Sequence, residues 1–404
     1  MDKPAQCSGL IINLTWMELP DLVYTSRMSE LPITQINFWP GVIDLGMGNP
    51  DFDLLPVNLL RKSAEEYFAS GDPRSLQYGV EQGDGYFRQS LSSFLSKRYG
   101  TDVDPELLFV TAGASSALDL LCSLYTQQGD VIFVEEPTYF LALRIFEDHG
   151  LKVVPIPMDA NGMSIDILEE KLVEFAPKFV YTIPVFQNPS GRTLSQDRRR
   201  KLVELAKREN FLVVADEAYQ FLGYSQAHPD SFAIYTKDVE HIISVNSFSK
   251  ILAPGLRLGW IQAHSAVIER LSNCGLLESG GGMNPYTSGL VRGLIESGGL
   301  DDNIVNLRRD YFQRLTAMDA ALRRHLPQAE YELPQGGFFF WVKAPGVDAA
   351  ELRTKAQEFN VDFRQGALFS SQKGMGEYLR LGFCFYDPEA LEKGIMRLRE
   401  SLEN

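Results

Sequence analysis

Ser247-Phe248-Ser249-Lys250-Ile251-Leu252-Ala253-Pro254-Gly255-Leu256-Arg257 sets a lysine just behind two hydroxyls and an arginine seven positions further on. The apolar run Ile242-Ile243-Ser244-Val245 precedes it, so these groups follow the end of a buried strand. A lysine amine becomes a nucleophile when a cationic or desolvated pocket lowers its pKa. A phosphate is best held by a guanidinium, hydroxyls and backbone N–H groups acting together. The eleven residues therefore suit a lysine carried as a Schiff base beside a bound phosphate. A solvated lysine ahead of a Pro-Gly turn has the same letters, so the stretch alone leaves both readings open.

The chain has 404 residues, 45% hydrophobic and 23% charged, which is globular composition at a length suited to one large domain and a smaller one. A net charge of −15 gives no basic field to attract nucleic acid or an anionic membrane. Arg198-Arg199-Arg200-Lys201 falls in a helical pattern with Leu202, Leu205 and Ala206 and reads as its solvated face. Cys7, Cys122, Cys274 and Cys384 form no CxxC pair, and His149, His228, His241, His264 and His325 are scattered, so neither disulfides nor a metal site is expected. Leu10-Ile11-Ile12 is too short for a membrane span and lacks the flanks of a signal peptide; a cytoplasmic protein is the expectation.

Between about 107 and 265, short apolar runs alternate with helical-period segments, as in a mostly parallel sheet wrapped by helices. The runs are 107–110, 131–134, 179–182, 211–215 and 242–245, with a helix at 114–125. Ligands in such sheets bind beyond the carboxyl ends of the strands, where Gly113, Tyr139, Asn188, Asp216 and Lys250 all fall. The expected organisation is an arm at 1–60 that contributes to a small domain, a large domain at 61–289, and a C-terminal small domain at 290–404. Gly280-Gly281-Gly282 reads either as a mobile connection or as a place where backbones pass closely.

Gly113-Ala114-Ser115-Ser116 presents N–H groups and hydroxyls at the positive end of a helix, which suits an anion, although a plain cap looks the same. Asp216 closes the run 211–215, where its carboxylate suits a protonated ring nitrogen or the cap of a following helix. Asn188-Pro189-Ser190-Gly191 is a turn by composition. Tyr139 and Tyr219 follow further strand ends as packing or as site residues. Arg380 alternates with apolar neighbours in Tyr378-Leu379-Arg380-Leu381-Gly382-Phe383, and either forms an ion pair or grips a carboxylate at two points.

Jointly the pattern is more specific. With Tyr78-Gly79-Val80-Glu81-Gln82-Gly83, Phe186-Gln187-Asn188-Pro189-Ser190-Gly191-Arg192, Asp216-Glu217-Ala218-Tyr219 and Pro334-Gln335-Gly336-Gly337-Phe338-Phe339-Phe340-Trp341, the chain resembles the fold-type I pyridoxal-phosphate aminotransferases. The similarity runs from about Asp44 to the C-terminus. It is nearest to the branch of aminoadipate, kynurenine and aromatic amino acid aminotransferases.

The resemblance implies an α/β fold with a large domain, its mostly parallel sheet flanked by helices, and a smaller α/β domain. It implies that Lys250 carries pyridoxal 5'-phosphate as a Schiff base and shuttles a proton, while Asp216 keeps the ring nitrogen protonated. Asn188 and Tyr219 would serve the phenolic oxygen, and Tyr139 would stack on the ring. Ser115, Ser116, Ser247, Ser249 and Arg257 would hold the phosphate, joined by Tyr78 from the partner subunit of a homodimer. Arg380 would clamp the substrate carboxylate, with Asn188 and Gly48 as further substrate contacts. The expected reaction moves an amino group from an L-amino acid to a 2-oxo acid in two half-reactions.

Three positions depart from the family pattern: Asn246 for a frequent glycine, Gly382 for a frequent asparagine and Gln365 for a frequent proline. They bear on substrate choice; Arg27 reads as a solvated arginine of the arm or as a contact to a distal carboxylate. Elimination, decarboxylation or oxidation from the same cofactor remains an alternative, as does a non-catalytic effector domain.

Overall fold

The computed structural model describes residues 34–36, 39–224 and 230–403; Cys7, Arg27 and His228 lie outside the described residues. Contacts divide the chain into a short unit, Met1–Gly41, and a main unit, Val42–Asn404. In the short unit the Thr34 hydroxyl donates to the Ile36 carbonyl at 3.3 Å.

The first part of the main unit runs β1 (Ile43–Asp44), α1 (Val57–Ala69), α2 (Gly85–Tyr99), β2 (Leu108–Thr111), α3 (Ala114–Tyr125), β3 (Val131–Glu136), α4 (Phe140–Asp148), β4 (Lys152–Asp159) and β5 (Gly162–Met163). Next come α5 (Ile165–Leu172), β6 (Phe179–Thr182), α6 (Gln196–Glu209), β7 (Leu212–Asp216), β8 (Ile242–Ser247), β9 (Gly259–Ala263), α7 (Ser265–Ser272) and α8 (Gly275–Gly280). The remainder is α9 (Pro285–Glu296), α10 (Gly299–His325), β10 (Phe339–Lys343), α11 (Ala349–Glu358), β11 (Val361–Asp362), β12 (Arg364–Gln365), β13 (Tyr378–Gly382) and α12 (Pro388–Glu403).

Eight strands form the main sheet in the order β2-β9-β8-β7-β6-β3-β4-β5. The expected parallel core is present, since β8, β7, β6, β3 and β4 pair parallel in turn. β6 and β8 are buried along their whole length, which is why they read as short unbroken apolar runs rather than alternating ones. Helix signals are equally local: Asp84 accepts the Phe87 N–H to start α2, and Gly100 at φ +67 ends it.

Among the strands that were not anticipated, two lie inside the main sheet next to the expected ones. β9 runs antiparallel between β2 and β8. β4 contains Pro155 and Pro157, which argue against a strand; it tolerates them because β5 covers it only at Met158 and Asp159, leaving the rest as an open edge. Arg199 corrects another expectation. It is 1% exposed, not part of a solvated face, and its guanidinium donates to the carbonyls of Leu194 at 2.9 Å, Pro184 at 2.7 Å and Asp230.

After α9 and the long α10, a second, antiparallel sheet has the order β10-β13-β12, and β1 pairs parallel with β11. The expected boundary after residue 289 falls inside α9, which packs on α1 and α2 and whose Leu290 carbonyl accepts from the Ser63 hydroxyl of α1 at 2.6 Å. The three-glycine run is a close crossing of backbones. Gly282 bridges to Gly79, and a Cβ on Gly282 would lie 1.8 Å from the Val80 carbonyl oxygen. Gly282→Ala is expected to destabilise the protein by about 1–3 kcal/mol through this overlap, read as a lower urea midpoint.

Candidate active site

The parallel pairing puts the carboxyl ends of β3, β6, β7 and β8 on one edge, and the antiparallel β9 lets β2 point the same way. Tyr139, Asn188, Asp216, Lys250 and Gly113 follow those ends. Asp216 is the last residue of β7 and faces Val245 of β8 in register, five positions before Lys250.

Lys250 is half-buried; its Nζ donates to the Gly48 carbonyl at 2.8 Å and lies 5.2 Å from the centre of the Phe338 ring. Loss of water around the ammonium pushes its pKa down to about 8, with Arg380 and Arg257 lowering it further and Asp216 opposing them. Asp216 is buried as well, and burial pushes its carboxyl up to about 6. Two donors pull it back: the Tyr181 hydroxyl at 3.0 Å and the Ala218 N–H at 3.3 Å. An amine and a carboxylate brought near neutrality in one cleft can exchange protons at ordinary pH.

Arg380 comes from β13 and is 4% exposed. Its Nη1 donates to Asn188 Oδ1 at 3.0 Å and its Nη2 to the Gly46 carbonyl at 2.6 Å, while Nε is buried without a partner. The guanidinium carbon lies 4.1 Å from the Phe339 ring centre and 4.9 Å from that of Phe369. Burial among these rings pushes its pKa down to about 10. A Cβ on Gly48 would meet Phe339 Cζ at 2.9 Å and Arg380 Nη2 at 3.9 Å, so Gly48 borders the same space.

A second cluster forms beside α3. Arg257, at φ +46, donates from Nη2 to the Ala112 carbonyl at 3.1 Å, and a Cβ on Gly113 would come 3.0 Å from that nitrogen. The guanidinium thus lies against the N-terminal end of a 12-residue helix, where Ser115 is exposed and Ser116 Oγ contacts Met283 Sδ at 3.8 Å. The Ser247 and Ser249 hydroxyls bond each other at 2.8 Å. Thr111 and Ser247 both pair with Gly259, where a Cβ would lie 3.0 Å from Gly113 Cα, so the absent side chain lets the loop after β2 close on β8. Helix N-terminus, guanidinium and hydroxyls are the donor set of a phosphate cradle.

Tyr219 is buried edge-on to Phe338 at 5.4 Å and Phe339 at 6.2 Å, and burial raises its pKa well above the usual value. Tyr139 caps α4; burial pushes it up to about 12, with the Asp216 charge acting in the same direction. Tyr78 stands apart from these groups, 84% exposed, next to the Gly79–Gly282 crossing.

Other residues at the site had no sequence signal. Tyr181 reads as core within a buried strand, and only the register of β6 on β7 aims its hydroxyl at Asp216. Glu135 lies buried beneath the Asn188 turn, accepting from Thr182 Oγ1 at 2.5 Å, Ile183 N at 3.0 Å and Gln187 Nε2 at 3.1 Å, with its pKa pushed up to about 7 by burial. Two segments quoted from the sequence also lock together. Phe186 sits at φ +48; its ring occupies the space that a side chain on Gly336 would take, and its Cβ and carbonyl oxygen the space of one on Gly337. Gly382 is explained likewise, since a Cβ there would lie 2.2 Å from the Met47 carbonyl oxygen.

Residues 40–398 match the family of aminotransferases of class I and II. The aromatic-amino-acid aminotransferase 1 of Thermococcus litoralis is 33% identical over 90% of this chain and 88% of its own length. The crystal structure of LysN, the alpha-aminoadipate aminotransferase of Thermus thermophilus complexed with N-(5'-phosphopyridoxyl)-L-leucine, superposes with a TM-score of 0.82 at 30% identity, covering 90% of this chain and 92% of that one. An uncharacterized HTH-type transcriptional regulator of Bacillus subtilis, YdfD, is 28% identical over 96% of this chain and 82% of its own length. The donor set of the phosphate cradle, the buried carboxylate of Asp216 and the desolvated lysine fit pyridoxal phosphate. The chain belongs to the class I and II aminotransferases, enzymes that depend on this cofactor.

Proposed function

We propose that the two clusters form one active site, that the chain acts on L-amino acids and 2-oxo acids by a ping-pong route, and that each candidate residue acts as follows. When bound, pyridoxal phosphate supplies an aldehyde that takes up the amino group and a ring that accepts charge from the substrate α-carbon. Ser115, Ser116, Ser247, Ser249, Arg257 and the start of α3 bind its phosphate. Asp216, held by Tyr181, keeps a proton on the ring nitrogen; Asn188 and Tyr219 donate to the phenolic oxygen, and Tyr139 covers a ring face. Lys250 Nζ would hold the cofactor through its aldehyde carbon and, once the substrate amino group has displaced it, would be the base that takes the proton from the substrate α-carbon and delivers it on the far side of the amino nitrogen, two atoms away. Arg380, with Asn188 and Gly48 beside it, holds the substrate carboxylate and so fixes which bond at the α-carbon breaks.

The observation that carries this reading is that Lys250, just after β8, lies close enough to Asp216 of β7 and Arg380 of β13 to feel both charges, its Nζ bonded to the carbonyl of the Gly48 that borders Arg380, with all three ionisations weakened by burial. The aromatic walls around Arg380 favour donors with apolar or aromatic side chains: Phe369 packs on Phe140 at 5.2 Å and on Trp341 at 5.6 Å. A cytoplasmic homodimer completes the proposal, with Tyr78 reaching the partner's phosphate. Support comes from the exposed apolar belt of Leu76, Tyr78, Val80 and Tyr86, and from the free thiols of Cys122, Cys274 and Cys384. Among the described residues no helix is long and apolar enough to cross a membrane. We further propose a large lobe at 61–289 and a small one built from 290–404 and part of the arm.

Incubation with aromatic, aliphatic, sulfur-containing and dicarboxylic amino acids without an acceptor is expected to convert the cofactor stoichiometrically to its amine form. Release of ammonia with the original absorbance restored would reject transamination. Borohydride should fix the cofactor on the Lys250 peptide, and Lys250→Ala should lose about 10²–10⁴-fold or more in turnover; unchanged turnover sinks the assignment. Cofactor affinity should fall as pH drops through about 6, because Asp216 then takes up a proton and loses its charge pairing with the ring nitrogen. Titration by cofactor absorbance between pH 5 and 8 reads this, and Asp216→Asn should abolish the inflection.

A further inference from the structure

Behind Arg380 a relay of contacts runs through Gly46 to Asp44 and Arg364. The Gly46 carbonyl that accepts from Arg380 Nη2 at 2.6 Å belongs to a residue whose N–H donates to Asp44 Oδ1 at 2.8 Å. Asp44 also accepts Arg364 at both oxygens, Nη1 at 3.0 Å and Nη2 at 2.8 Å. Arg364 faces Arg380 directly across β12 and β13. Its second acidic neighbour, Asp362, lies 3.7 Å away and is itself gripped by Arg353 at 2.7 and 2.9 Å.

The packing around Gly46 leaves no slack. A Cβ there would lie 2.5 Å from Arg364 Nη1, so only glycine lets the guanidinium close over the turn. The backbone on which Asp44 sits is fixed independently. Leu45 N–H donates to the Asp362 carbonyl at 2.8 Å, and Asp44 N–H to the Tyr386 hydroxyl at 3.0 Å. A two-point ion pair thus clamps a short turn whose next carbonyl is one of the two acceptors that orient Arg380.

We propose that Asp44 and Arg364 are positioning residues for carboxylate recognition: their ion pair sets the Gly46 carbonyl, and through it the direction in which Arg380 presents its remaining N–H groups. Such outer contacts hold a binding group to a fraction of an ångström, and a two-point arginine grip is not reproduced by lysine. The inference rests on the reading of Arg380 as the carboxylate clamp.

Its test compares L-phenylalanine with 2-phenylethylamine, the same amine without the carboxylate, in the half-reaction of the holoenzyme. Asp44→Ala is expected to lower kcat/KM for L-phenylalanine about tenfold, chiefly through KM, and to leave 2-phenylethylamine unchanged. Arg364→Lys should shift KM in the same direction by less, and it decides the comparison if Asp44→Ala proves misfolded by circular dichroism. Equal losses on both compounds, or no loss on the amino acid, overturn the proposal. Arg380→Ala separates the two levels. If it discriminates against L-phenylalanine while the other variants do not, only the relay falls; if it treats both compounds alike, the clamp reading falls and the relay with it.

Discussion

Charge kept out of water at the strand ends is the constraint on which the rest of the site depends. Burial drives Lys250 to about 8, Arg380 to about 10 and Asp216 to about 6, each toward its neutral form. Nearby opposite charges offset this only in part, and single dipoles do much of the holding: Gly48 and Gly46 carbonyls, the Asn188 amide and the Tyr181 hydroxyl. Charges that the fold leaves undercompensated are those a ligand of opposite charge stabilises on binding. On the proposed reading, a basic ring nitrogen would answer the carboxylate of Asp216 and a substrate carboxylate the guanidinium of Arg380.

Holding such groups still requires a rigid floor, and the floor is itself made of buried polar networks. Glu135 is fully enclosed and ties β3 to the ends of β6 and to Gln187, whose Oε1 in turn accepts from Ser190 N at 2.8 Å and Oγ at 2.6 Å. Asn188 lies inside that loop. Glu217, next to Asp216, accepts from Ser231 at 2.6 Å, Ser244 at 2.6 Å and Phe232 N at 2.9 Å, and Ser244 also accepts from Asn246. Every donor lost here would leave a carboxylate short of partners in low dielectric, so the networks tolerate little change. The asparagine at 246, a departure from the family pattern, is absorbed by this network rather than by the cleft.

Local signals in the chain determined a good deal on their own. Apolar runs gave β2, β3, β6, β7 and β8 to within a residue or two, and the helix at 114–125 coincides with α3, because fully buried strands and capped helices leave one-dimensional periodicities. The placement of Asp216 and Lys250 just past strand ends followed from the same periodicity. The proline-bearing β4 and the buried Arg199 did not, since an open edge and a ring of carbonyl acceptors are properties of neighbours far along the chain.

Only the folded structure decided what those residues meet. The order β2-β9-β8-β7-β6-β3 brings five strand ends to one rim, the register of β6 on β7 turns a core-like Tyr181 into the partner of Asp216, and β13 carries Arg380 to Asn188 from 192 residues away. Side-chain periodicity is written within a single element, whereas hydrogen-bond partners and desolvation arise between elements, and so they exist only once the elements have packed.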